Sequence, residues 1–171
     1  HAAFYGIGGS PYRVKRVWDQ SFNSGRGPAA FGYGTEFVTQ EEILSARYDM
    51  SSSYHGMHVA GIAAGGDNGA VYYGVAPGSD IVLVSYASSA TDVANGVRYI
   101  MDYAKSVGKP CVINMSVGIH NGPHDGTSIT DKVFESLSGA GNIIVGAVGN
   151  EGDTALHASK QFAENDTVLK T

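Results

Sequence analysis

Three short apolar runs constrain the fold of this chain more than any other feature of its sequence. They are DIVLVS (residues 80–85), CVINM (residues 111–115) and NIIVGAV (residues 142–148). Strands that are apolar almost throughout are typical of parallel sheets, because helices cover both faces of such sheets. Each run is therefore predicted to be a buried strand of a parallel sheet.

Apolar residues at helical spacing lie between and before these strands. One stripe follows His55, a second ends near Gly108, and residues 128–138 predict a further helix. The two stripes consist of Val59, Ile62, Ala63 and Gly66, and of Ala94, Val97, Ile100, Met101 and Ala104. The order β-α-β-α-β predicts an α/β fold, a three-layer sandwich with a mostly parallel sheet. Binding sites in such folds gather beyond the carboxyl ends of the strands.

The 171 residues are predicted to form a single domain with three parts. Residues 1–50 contain a strand around residues 13–19, a loop insertion rich in Gly, Ser and Pro, and a short helix. Residues 51–153 form the α/β core, and residues 154–171 form a polar tail. Because the chain begins without methionine and ends in that tail, we expect it to be an incomplete domain, a piece of a larger protein.

Charge and composition exclude several classes of partner and of fold. The formal net charge is −5, and the most basic run, residues 13–16, is short, so nucleic acid is not expected as a partner. No apolar stretch approaches the roughly 20 residues that a membrane span requires. The single cysteine, Cys111, excludes an internal disulfide framework. The 24 glycines have no fixed period, which indicates tight turns rather than a repeat fold.

Two predicted strands end in residues that suit a binding site. The strand at residues 111–115 continues into Ser116, Val117 and Gly118, and the last strand continues into Gly149-Asn150-Glu151-Gly152. Either segment alone is explained by an ordinary turn, since Gly and Asn are common turn residues. Their placement at the same edge of a parallel sheet favours a functional role.

His55 is predicted to lie in the first turn of its helix, on the inward-facing stripe. The positive end of the helix dipole and partial burial both disfavour an imidazolium, so a neutral ring able to accept a proton is expected. His58 is expected to bond to the backbone, and a purely structural role for both histidines is the alternative. No third ligand lies at a recognisable spacing, so the pair does not predict a metal site.

Four blocks of the sequence resemble the subtilisin-like serine proteases, the subtilases, in the family's order and spacing. They are HGMHVAGIAAG, GVAPGSDIVLV, VINMSVG and IIVGAVGNEG, and the resemblance is close over residues 54–152. It implies that His55 is the general base, which takes a proton from a serine hydroxyl and returns it to the leaving amine. It also implies that the Asn150 side-chain amide stabilises the oxyanion of the tetrahedral intermediate.

The same resemblance implies a groove for an extended peptide. Ser116, Val117 and Gly118 would pair with the peptide as an added strand. Ala147, Val148 and Gly149 would form the opposite wall of the pocket for the residue before the cut. Val148 stands where the family usually has alanine, which implies a shallower pocket, and Met57 replaces the family's usual threonine.

Two further catalytic residues of the family are expected outside this sequence. The family's aspartate would precede His1, and its serine would follow Thr171. Two residues inside the chain match the motifs of the family's aspartate and serine only in part. Asp19 lacks the glycine of the family's D-x-G segment, and Ser128 of the Gly-Thr-Ser run precedes Asn150 and is better explained as a helix cap. The chain alone is therefore predicted to be inactive.

Residues 66–72 match in length a loop that binds structural calcium in many subtilases, with Asn68 at a ligand position. Carboxylates would have to come from elsewhere, and Ala3 stands where the family often supplies one. Our prediction is therefore that no cofactor is required, with structural calcium as the alternative. The run GPHDGTS further resembles family members from anaerobic bacteria, and a secreted or cell-surface bacterial protein is expected.

The sequence as a whole predicts a subtilisin-type serine endopeptidase that hydrolyses peptide bonds. Its partners would be a polypeptide substrate and the remainder of the catalytic domain, which supplies the aspartate and the serine. The alternative is a catalytically inactive subtilase-like module that binds a peptide along Ser116–Gly118 without cutting it. A third possibility is an unrelated doubly wound domain with a small ligand at its strand ends.

Overall fold

The computed structural model describes residues 1–46, 54–67, 69, 71–118, 120, 122–155 and 161–165. The elements, in chain order, are β1 (Val14–Asp19), β2 (Thr35–Phe37), α1 (Gln40–Ala46), α2 (His55–Ala64), β3 (Ile81–Ser85), α3 (Ala90–Ser106), β4 (Cys111–Met115), α4 (Ile129–Leu137) and β5 (Asn142–Gly146). Two short 3-10 turns, Ala2–Phe4 and Ile7–Gly9, precede β1. None of the helices in the described part has the length and apolar character needed to cross a membrane.

The described strands form two ladders. In the first, the order is β2-β1-β3, with β1 antiparallel to β2 and parallel to β3. In the second, β4 runs parallel to β5, and Ile113 lies opposite Ile144. The α/β fold predicted from the sequence is confirmed, with β2 as an antiparallel addition to otherwise parallel pairs.

Helices lie on both faces of the β2-β1-β3 sheet, as a three-layer sandwich requires. Because side chains alternate along a strand, Val17 and Trp18 of β1 point to opposite faces. On one face, Val17 and the α2 residues Ala60 and Ala64 pack against the same buried cluster of Phe4, Tyr12, Val14 and Ile81. On the other face the Trp18 ring lies 5.1 Å from the ring of Tyr99 in α3.

α3 also forms a second core with β4, β5 and α4. Its buried members are largely shielded from water. Full burial of a large apolar side chain contributes about 1.5–3 kcal/mol to the free energy of folding. The buried residues of this core are Val97, Met101, Ala104, Cys111 and Ile113, against which Phe134, Leu137 and Ile144 pack. α3 therefore joins the two ladders through its opposite sides.

The other face of β4 and β5 differs from the prediction that helices cover both sides of every strand. Val112 is 68% exposed and Ile143 is 54% exposed, so no described element covers this face. The last strand is also shorter than predicted, since β5 ends at Gly146. The residues 147–149 consequently lie beyond the sheet.

Candidate active site

His55 is the first residue of α2, as the sequence predicts. Its ring Nε2 lies 3.0 Å from the carbonyl oxygen of Ser116, and it donates to that oxygen in the tautomer with the proton on Nε2. Ser116 directly follows β4, so the start of α2 meets the carboxyl end of that strand. The structure thus brings together two residues that are 61 positions apart in the chain.

The predicted burial of His55 is wrong, because its side chain is exposed. The inward stripe of α2 is also displaced from its predicted position. Ile62 is 58% exposed, whereas Ala60 and Ala64 pack against the core. Burial therefore does not support the neutral ring that the sequence predicts. The exposed ring is open to a reacting group from solvent.

The segments after β4 and β5 leave the sheet side by side. Met115 lies opposite Gly146 in the ladder, and the Ala147 N–H donates to the Met115 carbonyl at 3.1 Å. Ser116–Gly118 and Ala147–Gly149 therefore begin at the same edge of the sheet. Val148 is fully exposed at this edge. The wall roles of these six residues remain predictions.

Asn150 follows the end of β5 by four residues, and its side chain is exposed. Its backbone N–H donates to Glu151 Oε2 at 2.8 Å. The turn that leads into Asn150 favours glycine at position 149, where φ is +100°, a conformation that other residues rarely adopt. The oxyanion role of Asn150 remains a prediction.

His120 and Glu151 form a contact that the sequence does not predict. Glu151 Oε2 lies 3.1 Å from His120 Nε2, which links the loop after β4 to the loop after β5. The Asn150 N–H lowers the pKa of the Glu151 carboxyl below its usual value, and His120 adds to this effect. In the sequence, only the positions of the two residues indicate this contact. His120 closely follows Ser116–Gly118, and Glu151 closely follows Ala147–Gly149.

The residues that only partly match the family's motifs have structural roles. The buried Asp19 carboxylate accepts from the backbone N–H groups of Ser21 and Phe22, at 2.9 and 3.2 Å. The Ser128 hydroxyl accepts from the Asp131 N–H at 3.1 Å, which confirms that it caps α4. The Asn68 prediction lies outside the described residues. Within the described residues, no group of three or more His, Cys, Asp or Glu side chains could hold a metal ion.

Comparison with known proteins relates this arrangement to one family. The model of the Subtilase family matches residues 32–168. A subtilisin of Bacillus sp. (strain TA39) is 39% identical over an alignment of 104 residues, which covers 57% of this chain and 24% of that protein. A subtilisin of Bacillus pumilus is 31% identical over an alignment of 154 residues, which covers 87% of this chain and 51% of that protein.

A solved structure supports the same relationship. The structure of the Clostridium perfringens CspB protease matches with a TM-score of 0.72 and 27% identity, over 90% of this chain and 33% of that one. The chain spans a quarter to a half of the length of these relatives. Its fold is the subtilisin-like α/β fold that the sequence predicts. The chain belongs to the subtilase family.

Proposed function

We propose that this chain is part of the catalytic domain of a subtilisin-type serine endopeptidase. The observation that carries the proposal is the 3.0 Å approach of His55 Nε2 to the Ser116 carbonyl. It puts the proposed base beside the first residue of the proposed substrate-binding segment. Membership of the subtilase family supports this proposal and removes the alternative of an unrelated doubly wound domain.

In the proposed reaction, His55 moves a proton between the nucleophile and the leaving group. Its ring takes the proton of a serine hydroxyl as the serine oxygen bonds to the peptide carbonyl carbon. It then gives this proton to the amine nitrogen as the C–N bond breaks. Water then attacks the carbonyl carbon of the acyl-serine, and His55 passes the water's proton to the serine oxygen as the ester bond breaks. This step releases the acid and restores the serine. The serine, and the aspartate that orients the ring, belong to the remainder of the catalytic domain, and the chemistry needs no cofactor.

Asn150 is proposed to stabilise the negative charge that develops on the substrate oxygen. Its side-chain amide would donate to the oxyanion, which forms only during the reaction. The short turn through Gly149 supports this role, because the Glu151 carboxylate holds the Asn150 N–H and so restrains the backbone beside the amide. A restrained donor need not reorganise when the charge appears.

The substrate is proposed to be an extended polypeptide lying between the two segments that leave the sheet. Ser116, Val117 and Gly118 offer backbone groups for pairing as an added strand. Ala147, Val148 and Gly149 form the opposite wall. Val148 stands where the family usually has alanine, so its larger side chain would make the pocket for the residue before the cut shallower.

Fluorophosphonate labelling of the protein at its full natural length tests the proposal. The probe reacts with a serine hydroxyl only where a base activates it, so the wild type should be labelled. His55→Ala should lose the label, whereas His58→Ala, a change at a second exposed histidine of α2, should retain it.

Absence of label in the wild type, with a known subtilisin labelled beside it, would contradict the enzyme proposal. That result would leave the catalytically inactive peptide-binding module, which can be tested separately. Fluorescence anisotropy with labelled extended peptides would then detect binding along Ser116–Gly118.

A secreted or cell-surface location is part of the same proposal. Similarity to Bacillus subtilisins supports it, and fractionation of the producing cells tests it. Recovery of the protein from the medium or the cell surface is expected. Recovery from the cell interior alone would contradict it.

A further inference from the structure

Arg13 is the most buried charged side chain among the described residues, with 4% of its surface exposed. It immediately precedes β1. Its guanidinium donates to four backbone carbonyl oxygens. The acceptors are the oxygens of Tyr5 (3.3 Å), Ser79 (2.9 Å), Ala3 (3.0 Å) and Ala64 (2.6 Å).

These four carbonyls come from three separate parts of the chain. Ala3 and Tyr5 belong to the N-terminal segment, and Ser79 lies in the loop before β3. Ala64 is the last residue of α2, where unpaired carbonyls carry the partial negative charge of the helix end. A cation at this point therefore supplies charged donors to several carbonyl oxygens at once.

The guanidinium keeps its charge in this position. Burial lowers the pKa of Arg13, and the nearby Asp80 carboxylate raises it in part. Because the usual pKa of arginine is far above neutral, the side chain stays protonated at neutral pH. Asp80 itself forms ion pairs with Lys15 and Lys109, so the polar contacts of Arg13 are backbone carbonyls.

The Arg13 guanidinium and its four carbonyl acceptors lie next to Gly66, the first residue of the segment 66–72, for which family resemblance suggests structural calcium. Gly66, which opens that loop, donates its N–H to the Ala3 carbonyl at 2.6 Å. A Cβ at Gly66 would lie 3.1 Å from Arg13 Nη2 and 2.3 Å from the Tyr5 oxygen. The guanidinium is thus packed against the start of the loop.

The described residues around Arg13 do not fit a calcium ion. Calcium requires about 6–8 oxygen ligands, usually with several carboxylates. Here the nearby carbonyl oxygens already accept from a cation, and Ala3 offers no side-chain carboxylate. A dication beside the guanidinium would also be repelled in a poorly solvated site.

We infer that Arg13 is a built-in cation that takes the place of structural calcium at this loop. It ties the N-terminal segment, the end of α2 and the loop before β3 to one another by the contacts given above. The loop therefore makes no calcium-dependent contribution to stability. This inference does not depend on the proposed protease activity, because it concerns folding alone.

The first test measures thermal unfolding of the full-length protein in EDTA and in millimolar calcium, for the wild type and for Asn68→Ala. The measured quantity is the calcium-induced shift in melting temperature. We expect the shift to be the same in both proteins, since calcium bound elsewhere would affect both equally. A shift that is several degrees larger in the wild type would overturn the inference.

The second test replaces the cation. Arg13→Met should lower the melting temperature by more than about 5 °C, with or without calcium, because four carbonyls lose a charged donor. The matched control is Arg98→Met, which removes an exposed arginine that pairs with Asp102 on the surface of α3. Equal melting temperatures for the two variants would overturn the inference. If Arg13→Met does not fold, the Asn68→Ala comparison still decides, because Arg13 is intact there.

Discussion

The His55 ring lies at the junction of a helix start and a strand end. This position follows from α2 beginning at His55 and from Ser116 leaving β4 with its carbonyl directed at the ring. A helix start has few side chains above it, so the ring is exposed while its backbone is fixed. This combination suits a base that must meet a nucleophile from another part of the protein.

Replacement of His55 tests its role as the base. In the full-length protein, His55→Ala is expected to lower kcat by roughly 10⁶, a magnitude known from a subtilisin, because the serine hydroxyl loses its proposed proton acceptor. Peptide hydrolysis under saturating substrate measures it. His58→Ala is the control, and a loss of less than tenfold in His55→Ala would contradict the assignment.

Asn150 is expected to act on the transition state alone. Asn150→Ala should lower kcat by roughly 10²–10³, again a magnitude known from a subtilisin, because one donor to the oxyanion is lost. KM should change little, since the charge is absent in the bound substrate. Steady-state kinetics separate the two constants, with Asn165→Ala, a change at an exposed asparagine, as the control. A rise in KM with unchanged kcat would assign Asn150 to ground-state binding instead.

The Glu151 carboxylate is expected to titrate below its usual range. The Asn150 N–H favours the ionised form, so the pKa in the folded protein is lowered. The stabilisation is present above the unfolded-state pKa of about 4.3 and is lost as pH falls through the lowered folded-state value. In NMR spectra, the Asn150 amide shift should titrate with a midpoint below about 4.3, and Glu151→Gln should abolish that step. A midpoint at or above that value in the wild type would refute the interaction.

At the scale of elements, side-chain caps determine where the amphipathic helices α3 and α4 begin. Ser89 accepts from the Asp92 N–H, and Asp92 accepts in return from the Ser89 N–H, which forms a capping box at the start of α3. Ser128 caps α4 in a similar way. Both caps involve residues three apart, so local sequence is sufficient to specify them.

Removal of the α3 cap should destabilise the protein measurably. Ser89→Ala is expected to reduce the free energy of unfolding by about 1 kcal/mol, because an N–H of the first turn loses its acceptor. Denaturant unfolding followed by circular dichroism measures it. Ser136→Ala in α4 is the control, since that exposed hydroxyl bonds only to the Val133 carbonyl within its own helix. Equal stability of the two variants would contradict the capping role.

At the scale of the whole molecule, the described elements leave one face of the β4–β5 ladder open to solvent. Val112, Ile143 and Val145 are 68%, 54% and 47% exposed on neighbouring strands. Together they form a contiguous apolar surface, and such surfaces promote association between molecules.

The 171-residue chain produced by itself is therefore expected to self-associate. Light scattering after size-exclusion chromatography should detect species larger than the 17.8 kDa monomer. Ile143→Lys should reduce this association, because a charge at the centre of the surface disfavours burial. Val107→Lys, at an exposed position after α3, is the control. A monomeric wild-type chain with cooperative melting would contradict the prediction.

The sequence by itself determined the identity and order of the core elements and the family. Periodicity, caps and apolar runs act over a few residues, so β4 was predicted with its full bounds and α4 to within a residue at either end. The apolar stripe likewise placed His55 in the first turn of its helix, and the parallel order of the strands placed the segments after β4 and β5 at one edge.

Only the tertiary structure decided which distant groups meet. The contact of His55 with Ser116 joins residues 61 apart, and that of Arg13 with Ala64 joins residues 51 apart. The contact of Glu151 with His120 and the open face of β4 and β5 are decided at the same level. These features depend on how packed elements approach one another, and no local pattern records the direction of that approach.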